Sequence, residues 1–213
     1  NKHGLQACFM AKPFSDQAGS GMHLHVSLAD EHGNNLYASE EPQGTPLLRH
    51  SIGGMMETLF DALAIFCPHA NSYRRFQTGS YAPLAKSWGV NNRTVSFRVP
   101  GGPAISRHIE HRICGADANP YLAAAALLAG IHYGITHESD PGAAIVGNGY
   151  EQATDFLPTD WLTALQALQR STWAREALGA EFLKVFLAIK WREFREFNAE
   201  VGEQDWRWYL THA

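Results

Sequence analysis

The sequence predicts an α+β fold in which short strands come early and helices dominate the last third. Residues 21–30 alternate apolar and polar side chains, which is the pattern of a half-buried strand. After Thr45, and again from Asp160 onward, apolar residues recur at helical intervals of three and four. Strands and helices are therefore segregated along the chain, as in an α+β domain.

Further strands are predicted on either side of residues 21–30. Residues 6–12 have strand character, and the polar and glycine residues at 31–35 form a turn signal after the second strand. Residues 93–99 and 107–113 have the same strand character. The first 113 residues therefore supply the predicted sheet.

The predicted helices have clear starting signals. One helix runs from about Thr45 and ends before Pro68, with an apolar stripe of Leu48, Ile52, Met55, Leu59, Leu63 and Phe66. Another begins after Asn119, a good N-cap, because Pro120 suits the first helical position. The segment from Asp160 is mostly helical, and its apolar positions include Phe182, Phe186, Ile189, Phe194 and Phe197.

Composition excludes several functional classes. The 213 residues are 45% hydrophobic, enough for a buried core of about one domain. A net charge of −4 gives no basic footprint for nucleic acid. The longest uncharged run, 118–137, is rich in alanine and contains glycine, proline and histidine, so it is interpreted as a buried helix rather than a membrane span. No targeting segment is visible, and three cysteines without metal-type spacing favour a reducing compartment, the cytoplasm.

The strand at 21–30 is the first candidate for a functional site. His23, His25 and Ser27 fall on one face, while Met22, Leu24, Val26 and Leu28 fall on the other. Glycines at 19 and 21 allow a ligand to approach the backbone closely. The alternative is a half-buried strand with two hydrogen-bonded histidines, so the interpretation as a site needs support from other segments.

A second strand supplies that support. His108, Glu110 and Arg112 alternate onto one face, so a carboxylate is flanked by potential cations that favour its ionised form. Glu110 and His23 on a neighbouring strand could share a divalent ion, since carboxylate and imidazole together suit magnesium, manganese or zinc. Two ligands do not complete a metal site, so further ligands must come from elsewhere.

Four arginines add phosphate- and carboxylate-binding capacity: Arg75, Arg93, Arg98 and Arg112. Guanidinium groups bind both anions through two parallel hydrogen bonds, a role that lysine fills less well. Any single arginine could be an ordinary surface side chain, but four of them beside a metal-type strand favour an anion site.

Several segments together resemble the glutamine synthetase family. They are Gly19 to Leu28, Asn71 to Arg75, Asn92 to Arg98, His108 to Arg112 and Ala118 to Leu122, in the order and approximate spacing of that family. The resemblance is close over residues 1–136 and general over the helical C-terminal third. It implies a curved antiparallel sheet backed by helices, whose polar strand faces line a bowl.

The resemblance also implies a role for each matching residue. Magnesium or manganese would bind His23 and Glu110; ATP would contact His25, Ser27, Arg93 and Arg98; glutamate would contact Gly19, Arg75 and Arg112. The implied reaction is phosphorylation of the glutamate side chain by ATP, followed by displacement of phosphate by an amine. Phosphoryl transfer depends mainly on positioning and charge neutralisation, so Arg93 is expected to act in catalysis.

The departures from the family pattern concern the amine. Tyr81 stands where ammonia-using members carry a loop glutamate, and an uncharged phenol cannot attract ammonium but can line a pocket for a larger amine. His108 replaces an arginine and Ala18 an asparagine of the usual pattern. These residue differences resemble the γ-glutamylpolyamine synthetase branch, which uses putrescine or related amines. Glutamine synthesis from ammonia and a non-catalytic scaffold remain alternatives.

The length fits only part of such an enzyme. Members of the family are about twice as long, so residues 1–213 are expected to form the C-terminal portion of the catalytic domain, without the small N-terminal β-grasp domain and the upstream acidic metal ligands. Alone, this portion is expected to have little or no ligase activity. The complete protein is expected to form a homo-oligomeric ring, a dodecamer by analogy with the family.

Overall fold

The computed structural model of the chain describes residues 2–211. Its strands are β1 (Leu24–Val26), β2 (Trp88–Val90), β3 (Phe97–Val99) and β4 (Ile109–His111). Its helices are α1 (Pro46–Glu57), α2 (Leu59–Phe66), α3 (Pro120–Thr136), α4 (Gly149–Gln152), α5 (Trp161–Arg170), α6 (Thr172–Leu178), α7 (Ala180–Ala199) and α8 (Glu203–Tyr209). Short 3-10 helices occupy Ala70–Arg75 and Ala104–Ser106.

The four strands form one sheet in the order β1, β4, β3, β2. Strand β4 is antiparallel to both β1 and β3, while β2 and β3 are parallel. His25 and Arg98 both pair in register with Glu110, one from each neighbouring strand. The register therefore aligns a histidine, a carboxylate and an arginine across the centre of the sheet. The predicted α+β class, with an antiparallel-dominated sheet backed by helices, is confirmed.

Helices α1 and α3 pack together through glycines. A Cβ atom on Gly54 would overlap the backbone of Gly134, and one on Gly134 would overlap the carbonyl oxygen of His50. The two helices therefore lie closer together than ordinary side chains would allow. Together with α2, they share one hydrophobic core with the sheet, to which Trp88, Phe97 and Ile109 contribute from the strands.

The helical C-terminal third is also confirmed. Helix α5 packs on α2 and α7, and α6 packs on α7 and α3. The start of α3 is as predicted, because the Asn119 side chain accepts hydrogen bonds from the backbone amides of Tyr121 and Leu122. In the described part of the chain, no helix is long and apolar enough to cross a bilayer.

Several predicted elements were wrong in extent or type. Residues 6–12 form no strand, and residues 6–10 are exposed. The predicted single helix after Thr45 is two helices, because the Thr58 hydroxyl donates a 2.8 Å hydrogen bond to the carbonyl of Gly54 and the chain turns there. The other strands are shorter than predicted, and β2 was not predicted at all.

Candidate active site

Strand β1 presents its two faces as the alternation predicts. His23, His25 and Ser27 are exposed, whereas the intervening apolar side chains are half-buried against the core: Met22, Leu24, Val26 and Leu28. A strand with one packed face holds the other face rigidly in place. The exposed histidine face lies beside β4, which brings it to the carboxylate of Glu110.

Glu110 is the centre of the site. Its carboxylate accepts a 2.8 Å hydrogen bond from Nη1 of Arg98 and a 2.7 Å hydrogen bond from Nη1 of Arg112. The Nδ1 atom of His23 lies 3.0 Å from the same carboxylate. Glu110 is only 3% exposed, so these contacts form in a partly water-excluded environment. The structure therefore brings four of the predicted site residues together: His23, Arg98, Glu110 and Arg112.

The environment of Glu110 keeps it ionised. Burial opposes ionisation, but the hydrogen bonds from His23 and Arg98 and the charge of Arg112 outweigh burial and hold the pKa of this carboxyl well below its usual range. At neutral pH the site therefore holds one fixed negative charge between two guanidinium groups. Its local excess of positive charge suits an anionic ligand.

Arg98 and Arg112 also fix the loops around the site. Nη2 of Arg98 donates a 2.6 Å hydrogen bond to the side chain of Asn91, whose φ of 50° lies in the left-handed region. Nη2 of Arg112 donates to the backbone carbonyls of Arg93, at 3.0 Å, and Tyr81, at 3.3 Å. Asn91 was missed in the sequence, although asparagine tolerates this backbone conformation better than most residues.

Arg75 and Gly19 also come together, beneath the glycine-rich turn that precedes β1. A Cβ atom on Gly19 would lie 2.6 Å from Cγ of Arg75, and one on Gly21 would lie 2.5 Å from its Nη1. Arg75 is buried and donates a hydrogen bond to the carbonyl of Ile113. Glycine is therefore required at position 19, where a Cβ atom would also lie 2.8 Å from the backbone carbonyl oxygen of Ala11. At Gly21 the overlap is with the end of the Arg75 side chain alone.

Four arginines have a buried Nε donor without a hydrogen-bond partner among the described residues. One is Arg107, and the other three belong to the predicted site: Arg75, Arg98 and Arg112. Buried donors of this kind are rare in folded proteins, and they are typical of sites that a ligand or ordered solvent completes. These three guanidinium groups therefore mark the part of the chain best suited to hold an anion.

Tyr81 and Arg93 line a groove of about 810 Å³ beside this cluster. Tyr81 is 63% exposed, and its φ of 58° is in the left-handed region that few non-glycine residues adopt. Val90, Ala144, Ile145 and Val146 form an apolar part of the groove wall. The groove can therefore accept a group with a hydrocarbon portion next to the charged site.

His25 and His108 form a pair next to Glu110. Nδ1 of His25 lies 2.9 Å from Nε2 of His108, and Nδ1 of His108 lies 2.7 Å from the carbonyl oxygen of Ser106. The ring centroids are 5.1 Å apart. The sequence places His108 on one face with Glu110 and Arg112, and His108 departs from the family pattern, but its pairing with His25 was not predicted.

A divalent metal fits His23 and Glu110 as part of its ligand set. The 3.0 Å separation of their nitrogen and oxygen atoms matches the ~3.0 Å spacing of neighbouring ligands around an octahedral ion with bonds of about 2.1 Å. Among residues 2–211, no group of three or more His, Cys, Asp or Glu side chains is placed to hold a metal. His23 and Glu110 therefore remain the two candidate ligands that the sequence predicts, and a complete metal site would need further ligands.

Comparison with known proteins identifies the family. Residues 1–209 match the glutamine synthetase catalytic domain. The chain is 40% identical over 212 residues to γ-glutamylputrescine synthetase of Escherichia coli K12, covering all of this chain and 45% of that protein. It is 35% identical over 215 residues to glutamate–isopropylamine ligase of a Pseudomonas species, covering 98% of this chain and 47% of that protein. The chain belongs to the glutamine synthetase family.

Solved structures agree with this assignment. The fold superposes on ligand-free GmaS with a TM-score of 0.89 at 31% identity, covering 99% of this chain and 49% of that one. It superposes on a GmaS complex with ADP with a TM-score of 0.87 at 30% identity, covering 98% of this chain and 50% of that one. The chain spans about half the length of the curated relatives it matches.

Proposed function

We propose that this chain is the C-terminal part of the catalytic domain of an ATP-dependent ligase that joins glutamate to an amine. The observation that carries the proposal is the Glu110 cluster, in which one ionised carboxylate is held by Arg98 and Arg112 beside His23. The family match supports the reaction class, and the names of two relatives, a γ-glutamylputrescine synthetase and an isopropylamine ligase, support an amine larger than ammonia.

The proposed reaction has two steps. In the first, an oxygen of the glutamate side-chain carboxylate attacks the γ-phosphorus of ATP, the bond to the β-phosphate oxygen breaks, and ADP leaves. In the second, the uncharged amine attacks the acyl phosphate carbon, loses a proton, and expels inorganic phosphate to give the γ-glutamyl amide. The first step brings the negative charges of glutamate and ATP together, and in the second negative charge develops on the departing phosphate, so most of the catalytic contribution must come from positioning and charge neutralisation.

The chain's own residues are assigned to these charges. His25, Ser27, Arg93 and Arg98 are proposed to bind ATP, and Gly19, Arg75 and Arg112 to bind glutamate. Arg93 is proposed to stabilise the transferring phosphoryl group, because it is exposed at the mouth of the groove rather than tied to Glu110. His23 and Glu110 are proposed to hold magnesium or manganese. A bound divalent ion would neutralise phosphate charge.

Tyr81 is proposed to select the amine. It is exposed in a groove whose wall includes Val90 and Ile145, so a hydrocarbon chain has apolar surface to contact. Position 81 itself offers no carboxylate to attract ammonium, although Glu41 lines the same groove. A diamine such as putrescine is therefore the proposed substrate class, with other alkylamines as weaker substrates.

The remaining ligands are proposed to lie in a preceding half of the protein. The chain covers 45% of the E. coli relative, and residues 2–211 supply two candidate metal ligands, His23 and Glu110, so alone it is expected to have little or no ligase activity. In the complete protein, homo-oligomeric ring assembly is proposed to bring the missing parts of each site together.

The proposal is tested on the full-length protein with ATP, magnesium and glutamate. Phosphate release is measured with putrescine, isopropylamine and ammonium at matched concentrations, and the γ-glutamyl product is identified by mass spectrometry. Preference for putrescine supports the proposal, whereas preference for isopropylamine would support the ligase class and contradict the diamine assignment. Preference for ammonium would make the protein a glutamine synthetase, and no turnover with any amine would favour a non-catalytic scaffold.

Tyr81→Glu sharpens this test. A carboxylate at position 81 should attract ammonium and make the groove less favourable for a hydrocarbon chain. The ratio of kcat/KM for ammonium to that for putrescine should therefore rise at least tenfold, which corresponds to about 1.4 kcal/mol in transition-state free energy. Tyr121→Glu is the matched control, because Tyr121 is 84% exposed at the start of α3. An unchanged ratio in Tyr81→Glu would exclude Tyr81 from amine selection.

A further inference from the structure

We propose that His108 is a positioning residue that fixes the tautomer of His25, so that His25 presents a hydrogen-bond acceptor to the nucleotide. The inference rests on the proposed function, in which His25 contacts ATP. It assigns to His108 a role that follows from two hydrogen bonds and the chemistry of neutral imidazole.

The tautomer of His108 is set by the carbonyl oxygen of Ser106, which can only accept a hydrogen bond. This oxygen lies 2.7 Å from Nδ1 of His108, so Nδ1 of His108 must carry the hydrogen. A neutral imidazole carries one ring hydrogen. Nε2 of His108 is therefore bare and can only accept.

The tautomer of His108 in turn sets that of His25. Nδ1 of His25 lies 2.9 Å from Nε2 of His108, and two bare nitrogens at that distance would repel each other. Nδ1 of His25 therefore donates, and its single hydrogen is used. Nε2 of His25 is left bare, as an acceptor on the exposed face of β1. The backbone carbonyl of Ser106 thus determines, through His108, that Nε2 of His25 carries no hydrogen.

The charged groups around His25 do not fix its tautomer, because none of them is hydrogen-bonded to its ring. His23, Glu110 and Arg98 act on His25 electrostatically, but its only hydrogen bond among the described residues is to His108. An arginine at position 108 would offer donors alone. It would require Nδ1 of His25 to accept and Nε2 to carry the hydrogen, which is the opposite arrangement.

The ligand class follows from the bare Nε2. A nucleotide offers donors through its ribose hydroxyls and the amino group of adenine, whereas its phosphates at neutral pH only accept. His25 is therefore matched to the nucleoside part of the ligand and unsuited to a phosphate oxygen. One neutral hydrogen bond is worth about a three- to tenfold change in affinity.

The proton positions are tested directly by neutron crystallography of the full-length protein at pH 8, above the ordinary imidazole pKa of about 6.5. Deuterium on Nδ1 of both His25 and His108, with none on either Nε2, is the expected result. Deuterium on Nε2 of His25, alone or together with Nδ1, would overturn the proposal. In His108→Arg the deuterium of His25 is expected to move to Nε2.

Binding measurements test the functional consequence. Calorimetry compares ADP with 2′,3′-dideoxy-ADP and with purine riboside diphosphate, which lack the ribose and the base donors respectively. One of these analogues should lose about three- to tenfold in affinity in the wild type and less than twofold in His108→Arg. His137→Arg, on an exposed imidazole at the end of α3, makes the same charge change away from the site and should behave as the wild type.

Equal losses in the wild type and in His108→Arg would also overturn the proposal, since the acceptor on His25 would then contribute nothing to recognition. If the protein bound no nucleotide, the proposed function would fail, while the neutron structure would still decide whether Ser106 and His108 set the tautomer of His25. The two failures are therefore distinguishable.

Discussion

Replacing the buried His111 with leucine should stabilise the protein, and the gain should increase as the pH falls. His111 is 1% exposed, and neither ring nitrogen has a hydrogen-bond partner among the described residues. Its ring packs against Phe66 and Phe97, with centroids 4.4 and 5.4 Å away. Burial, assisted by the charge of Arg75, lowers the pKa of His111 to about 3.

The magnitude follows from the two protonation equilibria. The unfolded chain binds a proton at this imidazole near pH 6.5, and the folded protein binds it only near pH 3. Between these values the unfolded state holds the extra proton, so the wild type loses stability as the pH falls. At pH 5 the loss is about 2 kcal/mol, since each pKa unit corresponds to about 1.4 kcal/mol. The leucine variant lacks this loss.

Urea unfolding at pH 7.5 and pH 5 measures the effect. Any packing cost of leucine is the same at both pH values, so the difference in stability between His111→Leu and the wild type should grow by about 2 kcal/mol at the lower pH. His137→Leu serves as the control, because it removes an exposed imidazole. An unchanged difference between the two pH values would refute the assignment of His111 as a buried neutral histidine.

Two further substitutions test the packing and charge of the same core. Glu110→Gln should lower the free energy of unfolding by about 3–5 kcal/mol, because it leaves two guanidinium groups without their counter-charge. The control Glu196→Gln, in an exposed i,i+4 pair, should cost less than about 1 kcal/mol. Similar urea midpoints for both variants would contradict the central role of Glu110. Gly54→Ala should destabilise the protein by about 1–3 kcal/mol despite the better helix propensity of alanine, because the methyl group of alanine would overlap the backbone of Gly134. A raised midpoint in thermal unfolding would show that α1 and α3 are not in close contact.

The parts of the site that the sequence predicts are those with a short-range pattern. The period of two in β1 correctly places His23 and His25 on the exposed face, and the same period in β4 places Glu110 beside Arg112. The meeting of β1 and β4 was predicted from chemistry, since a carboxylate and an imidazole can share an ion. The structure confirms it at 3.0 Å between His23 and Glu110.

The parts that could not be predicted depend on distant neighbours. Strand β2 exists because it pairs in parallel with β3, and a three-residue strand carries too little pattern to be recognised alone. The burial of Arg75 depends on the carbonyl of Ile113, which is 38 residues away. Residues 6–12 contain a short apolar run of the kind found in strands, but no described strand lies beside them to complete a ladder. A segment with strand propensity therefore forms a strand only where a neighbouring strand is available to pair with it.

The alternation along β4 restricts how this region can change in length during evolution. Ile109 and His111 face the core, and Glu110 faces the two arginines, within three consecutive residues that are all buried. Inserting or deleting one residue there would turn the carboxylate toward Phe66 and Phe97 and an apolar side chain toward the site. Tolerated insertions should therefore concentrate in exposed connections such as residues 101–103, where an added residue leaves the strand register intact.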